Sequence, residues 1–163
     1  MVKFVEIKEK VKNLEKMGGG WRSVVYRGDL DGKTLSFKVP LKDIHRHSIL
    51  KEGKILQIVN REGVGGKLYM IGGDFIAYEY IDGKHLIDIL NHENKEHLLK
   101  QLIQQAKILD RLKINKEEMH RPYKNVLVDK ELKLHLIDFE RAKPTLRPKN
   151  LSQVMQFVKR YNF

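Results

Sequence analysis

Three consecutive glycines, Gly18-Gly19-Gly20, interrupt a run of strand-forming residues near the start of this 163-residue chain. Trp21-Arg22-Ser23 follows, then Val24-Val25-Tyr26-Arg27-Gly28. Asp31-Gly32 comes next, a pair suited to tight hairpin turns because both central residues tolerate positive φ. Thr34 to Val39 then alternates in polarity and stops at Pro40. A chain written this way opens with an antiparallel hairpin preceded by a glycine turn. A dinucleotide-binding loop needs a helix after its glycines, and here strands follow. A Walker loop ends in Gly-Lys-Ser/Thr, which Gly20-Trp21-Arg22 does not supply. What remains is a glycine flap between strands, whose backbone can approach a phosphate closely.

The rest of the chain divides into a strand-rich and a helix-rich half. Phe4, Ile7, Val11 and Leu14 recur at helical spacing and predict a short helix over 3–15, turning into a strand near Leu14–Met17. His47–Asn60 reads as a helix, broken by Gly63, Gly65 and Gly66. Leu68–Ile71 and Phe75–Ile81 read as strands joined by Gly72-Gly73-Asp74, and Asp82-Gly83 as a connector. Beyond it, His85–Leu90, Lys95–Leu112 and Leu151–Tyr161 have helical periodicity, with a small hairpin of Val126–Val128 and Leu134–Ile137 among them. The fold class expected is α+β. Residues 1–82 form an antiparallel sheet with one helix, and residues 83–163 a mainly helical part.

Composition narrows the chemistry. There is no cysteine, which excludes disulfides, thiol catalysis and cysteine–zinc sites. No apolar run approaches the roughly 18 residues of a membrane span. Met1 to Glu6 carries charges where a signal peptide needs an apolar stretch, so a cytoplasmic, non-membrane protein is expected. The formal net charge of +11 suits a polyanionic partner or a bound phosphate.

Four side chains stand out. Alternation puts Ser36 and Lys38 on one sheet face and Leu35, Phe37 and Val39 on the other. Lys38 lies thirteen residues after Val25, the spacing of a strand lysine that reaches the α and β phosphates of a nucleotide. Glu52 is the only acid between Asp43 and Glu62, so a carboxylate clamping Lys38 from the helix must be Glu52. Asn125 opens one strand of the second hairpin and Asp138 follows the other, so the hairpin brings them to the same end. An Asn–Asp pair offers the hard oxygens that magnesium takes together with phosphate and water.

In this order the motifs resemble a minimal protein-kinase-like fold. The resemblance is to small archaeal predicted serine/threonine kinases, related to the RIO-type atypical kinases and to the small kinase of a tRNA-modifying assembly. It covers about Leu14 to Ala142. It implies a bilobal fold with an N-lobe sheet and a truncated C-lobe. It also implies a nucleotide site at Gly18, Gly19, Gly20, Ser23 and Val25, with Lys38 and its partner Glu52. Glu79-Tyr80-Ile81-Asp82-Gly83 resembles the hinge, so that the backbone at Glu79 and Ile81 would hold adenine. Asn125 and Asp138 would hold the metal, with Asp138-Phe139-Glu140 in place of Asp-Phe-Gly. The implied cofactors are ATP and Mg2+, and the implied activity is phosphoryl transfer to a protein serine or threonine. A small-molecule acceptor stays open.

Two departures qualify that implication. A kinase places an aspartate five residues before the asparagine; here that residue is His120. A loop longer by two residues would give the role to Glu118, with His120 second. A nucleotide-binding pseudokinase with no base is the third reading. Arg121 or Lys124 could neutralise the γ-phosphate. Only 25 residues follow Asp138, too few for an activation segment and substrate platform. That tail holds Arg141, Lys143, Arg147, Lys149, Lys159 and Arg160, and no acid after Glu140, so RNA or an RNA-associated complex is a further expected partner.

Overall fold

Turn chemistry builds the first sheet. In the computed structural model, which describes residues 1–161, β1 spans Lys12–Gly19, β2 Ser23–Leu30 and β3 Lys33–Pro40. Asp31 at φ 53° and Gly32 at φ 75° form the two-residue turn that joins β2 to β3. Pairing then runs without a slip from Leu30↔Lys33 to Ser23↔Pro40. The glycine run closes β1 and turns into β2, with Gly19 opposite Val24. A Cβ on Gly19 would lie 2.6 Å from the Ser23 carbonyl oxygen, so only glycine allows this close return.

The start of the chain differs from the helix expected over 3–15. Helix α1 covers only Phe4–Ile7, a 3-10 turn covers Lys8–Lys10, and the chain is extended from Val11. Edge pairing of β1 with β2 outweighs a helical pattern of only a few turns, since short helices are marginal on propensity alone. The apolar spacing still marks the core. Phe4, Ile7 and Val11 pack with Leu30, Leu35, Phe37, Phe75 and Ala77, and Leu14 joins them from the strand. The Phe4 ring lies 5.8 Å from Phe37 and 5.7 Å from Phe75.

Two further strands, β4 (Leu68–Ile71) and β5 (Ile76–Glu79), complete an antiparallel sheet of order β1-β2-β3-β5-β4. Strand β5 is shorter than expected, because Phe75 turns into the aromatic core and Gly72 already bonds to its carbonyl. Helix α2 (Arg46–Val59) packs on β3, β4 and β5. A Cβ on Gly53 would meet Ile76 Cγ2 at 2.8 Å and Ile71 Cγ1 at 2.9 Å. This glycine lets the helix sit unusually low on the sheet.

These elements form one compact unit, Met1–Asn60 with Gly66–Tyr80. The second unit takes Arg61–Gly65 and the chain from Ile81 onward. Glu62 is tied there by an ion pair to Arg111 at 3.2 Å. The expected connector at Asp82-Gly83 leads into a short strand, β6 (Gly83–His85), followed by α3 (Leu86–Ile89) and α4 (Lys95–Arg111). Then come β7 (Ile114–Asn115), β8 (Val126–Asp129), β9 (Leu134–Leu136), β10 (Lys143–Pro144) and α5 (Asn150–Arg160). The predicted hairpin is present as β8 and β9, widened by β6 into a three-stranded sheet. Strands β7 and β10 pair with each other and are too short to leave a sequence signal. Leu98, Leu99, Leu102, Ala106 and Leu109 of α4 are buried, as are Val154, Phe157 and Val158 of α5.

Buried polar bonds fix where α5 starts. Asp110 accepts from the N–H groups of Asn150 and Leu151, capping α5 from a different helix. The Asn150 side chain donates to the Ile114 carbonyl at 2.7 Å and accepts from the Lys116 N–H at 2.9 Å. The loop that begins at Lys116 is thereby anchored to α5. Among the described residues, no helix is long and apolar enough to cross a membrane.

Candidate functional site

In the first unit, strand register alone assembles three of the sequence-predicted residues. Gly18 pairs with Val25, Val25 with Lys38, and Lys38 with Ile76. Directly opposed residues share a face, so Gly18, Val25 and Lys38 form one cross-strand row. Adjacent strands lie about 4.8 Å apart, which puts the glycine turn roughly 10 Å from Lys38 along that row. Ile76, the next member, is the residue on which Gly53 rests. The close seat of α2 carries the neighbouring Glu52 to the same face. Its carboxylate lies 2.8 Å from Lys38 Nζ. Both side chains are almost fully buried, 7% and 3% exposed.

A buried ion pair is costly to assemble. Each charge loses its hydration, and close contact with full hydrogen bonding only roughly restores the balance. Such a pair is weak evidence of a stability role. It fits a lysine held in one rotamer for another purpose. Ser36, also buried, lies on the same face two residues before Lys38.

The flap glycines are exposed, and nothing lies within 4 Å of a Cβ built on Gly18 or Gly20. The Gly20 N–H donates to the Ser23 carbonyl at 3.0 Å. Ser23 is buried at the start of β2, and Val25 is half-buried. Glu79 ends β5, where its carboxylate lies 3.4 Å from Lys33 and 3.9 Å from Lys67. Its N–H donates to the Lys67 carbonyl, and that of Tyr80 to the Thr34 carbonyl. Ile81, half-buried, begins the long segment of the second unit.

The second unit collects oxygen ligands at one end of the β8–β9 hairpin. Val126 pairs with Leu136, and the Ile137 N–H donates to the Asn125 carbonyl at 2.9 Å. Asn125 and Asp138 therefore flank the same hairpin end, as the spacing predicted. Asn125 Oδ1 is buried without a hydrogen-bond partner. An orphaned amide oxygen is expensive, so it marks a place for a cation or donor. Asp138 is exposed and has φ 63°, a left-handed backbone that Asp and Asn tolerate better than most residues. Asp138 and Glu140 each present a carboxylate oxygen, and these lie within 4.8 Å of one another. In the sequence Glu140 stands where the Asp-Phe-Gly pattern has glycine. Its placement two residues after Asp138, in the turn that follows the strand, was the available signal.

The far end of the same hairpin is pinned by Asp129. Its carboxylate accepts from the N–H groups of Glu131 and Lys133, and lies 2.8 Å from His135 Nε2. Burial opposes its ionisation, but the bonds from His135 and the two N–H groups prevail and hold its pKa below the usual carboxylate range. A depressed pKa stabilises the fold above the ordinary value near 3.9, and that gain is lost as pH falls through the lower folded value. Asp129→Asn is therefore expected to cost about 1–2 kcal/mol at pH 7. The difference in thermal midpoint should close in the acid range below about pH 4. A difference independent of pH would show that the charge of Asp129 does not matter.

The loop from Lys116 to Asn125 carries the remaining candidates. Glu118 is exposed, has φ 57°, and its carboxylate accepts from Arg141 at 2.9 Å. His120 is half-buried. Between them Met119 is fully buried, and its N–H donates to Gln153 of α5. Arg121 and Lys124 are exposed. In the sequence Arg141 belongs to the basic tail; its bond to Glu118 spans twenty-three residues and has no local signal.

Compared with known proteins, the sequence matches no protein-family model and no curated protein.

Proposed function

We propose that the chain is an ATP- and Mg2+-dependent phosphotransferase with a minimal, bilobal protein-kinase-like fold, acting on a serine or threonine hydroxyl. The observation that carries this reading is the buried Lys38–Glu52 pair, 2.8 Å apart, in line with a glycine turn. A lysine on the third strand held by a glutamate on the following helix is what a kinase uses on nucleotide phosphates. The orphaned Asn125 oxygen, Asp138 and Glu140 fit a hard divalent cation and would hold Mg2+. The bound cation would supply charge neutralisation on the phosphate oxygens.

Phosphoryl transfer asks the protein mainly for position and countercharge. Lys38 would orient the α and β phosphates, and Glu52 fixes its ammonium. The backbone at Glu79 and Ile81 would meet the adenine ring. Glu118 would accept the acceptor hydroxyl's proton as its oxygen bonds to the γ-phosphorus and ADP leaves. Arg121 and Lys124 would balance charge on the transferring group.

One observation favours a second reading, a nucleotide-binding protein without turnover. No aspartate lies between Asp110 and Asp129, and the Glu118 carboxylate is engaged by Arg141. Incubation with γ-labelled ATP, Mg2+ and a generic protein acceptor separates the two. Transfer that drops about 10²–10⁴-fold in Glu118→Gln, and only a few-fold in His120→Gln, supports Glu118 as the base. The opposite order moves the role to His120. ATP-dependent thermal stabilisation with no transfer in the wild type supports the second reading.

A further inference from the structure

The phosphotransferase reading leaves most of the basic residues of the second unit without a role. Around the end of α5 they are organised. The Arg160 guanidinium donates to the Tyr123 hydroxyl at 3.3 Å, bringing the helix end to the loop segment Arg121-Pro122-Tyr123-Lys124. The Tyr123 ring lies 5.9 Å from Phe157, and Phe157 lies 5.0 Å from Tyr161. Lys95 Nζ donates to the Tyr161 carbonyl at 3.4 Å. Lys95 and Arg160 thus bond directly to the two half-buried tyrosines, and Arg121 and Lys124 flank Tyr123 in the loop, four cations in all. Among the described residues, none of the four is paired with a carboxylate. After Glu140 the chain holds no acid at all.

Cations in the last turn of a helix are explained by the helix dipole alone. Arg121 and Lys124 are not on a helix, and the dipole does not account for them. Like charges left together without counterions repel, so the grouping suits a ligand that brings its own negative charge. Tyrosine faces beside such cations add stacking for unpaired bases, which an acidic peptide cannot use. Unpaired bases are the usual target in RNA loops and ends.

We propose that this surface of the second unit binds single-stranded RNA, the phosphates meeting the four cations and bases stacking on Tyr123 and Tyr161. The proposal shares Arg121 and Lys124 with the phosphotransferase reading but none of Lys38, Glu52, Asn125 or Asp138, so RNA binding and phosphoryl transfer can be lost separately.

The test is fluorescence anisotropy with a labelled single-stranded RNA of about 16 nucleotides, titrated with the full chain at several salt concentrations. Each phosphate contact contributes about 0.7 to the slope of log affinity against log salt, so four give about 2.8. Affinity should then fall roughly 50-fold between 50 and 200 mM salt. Lys95→Ala/Arg160→Ala, on the two helices, should lower the slope by about 1.4 with the fold retained. Lys124→Glu, in the loop, should weaken binding independently of the helix. Lys38→Met/Glu52→Leu should bind RNA like the wild type, even with phosphoryl transfer abolished. Equal binding of a polyglutamate peptide or of duplex DNA would overturn the proposal. So would an unchanged slope in the helix variant, or loss of RNA binding in the Lys38/Glu52 variant.

Discussion

Lys38→Ala is expected to lower stability by about 3–5 kcal/mol, because it leaves the Glu52 carboxylate buried beside a cavity in place of its partner. In a chain of this size that is on the order of 10 °C in thermal midpoint. Glu52→Ala should cost a similar amount, since it removes the carboxylate 2.8 Å from a buried ammonium. The informative variant is the double replacement, Lys38→Met/Glu52→Leu. Two apolar side chains of similar volume remove both desolvation costs, and such exchanges are often neutral or stabilising. Stability should therefore return to near the wild-type value while nucleotide-dependent transfer stays lost. Thermal melts and γ-labelled ATP assays on the three variants read the two effects separately. Phosphoryl transfer surviving in the stable double variant would sink the role assigned to Lys38. A double variant as unstable as the singles would mean that the pair is structural in a way its geometry does not explain.

Asp138→Asn is expected to leave the fold intact and to remove Mg2+-dependent transfer. Asparagine keeps the side-chain size and tolerates the left-handed backbone at φ 63°, so the turn after β9 should hold its shape. What it loses is one of the negative charges that the proposed cation would meet. Metal countercharge contributes several kcal/mol to a phosphoryl transition state, and a loss of 3–4 kcal/mol corresponds to roughly 10²–10³ in rate. The Mg2+ concentration giving half-maximal activity should rise as well. Glu140→Gln should shift the Mg2+ dependence less, since Glu140 would add only a supplementary ligand to the proposed site. An Asp138→Asn protein with wild-type rate and Mg2+ dependence would place the metal elsewhere. A variant that melts well below the wild type would instead assign Asp138 to the turn.

Much of the first unit was legible because its signals are local. Asp31-Gly32 sets a two-residue turn, and a two-residue turn sets the register from Leu30↔Lys33 onward. Once register is fixed, Val25 and Lys38 must face each other. Glu52 was readable by elimination, as the only acid in its stretch. The extent of the first helix was not legible, because Phe4, Ile7 and Val11 meet the same core whether or not the chain after them is helical. Strands β7 and β10 were missed because a two-residue pairing has no period. In the candidate site, the placement of Asn125 and Asp138 at one hairpin end was readable from strand spacing, whereas that of Glu140 and Arg141 needed the observed turn.

By itself the sequence determined the order of the main elements, the turns between them and the residues that pack in each local core. Glycines, turn pairs and apolar periods act over a few residues, and those distances are written in the chain. Only the tertiary structure decided how close α2 sits on its sheet, through the missing Cβ of Gly53. It alone decided that Lys38 and Glu52 are buried together, that Arg141 reaches Glu118, and that Arg160 meets Tyr123. These contacts depend on packing held to within a few tenths of an ångström between segments far apart in the chain. No local pattern encodes such distances.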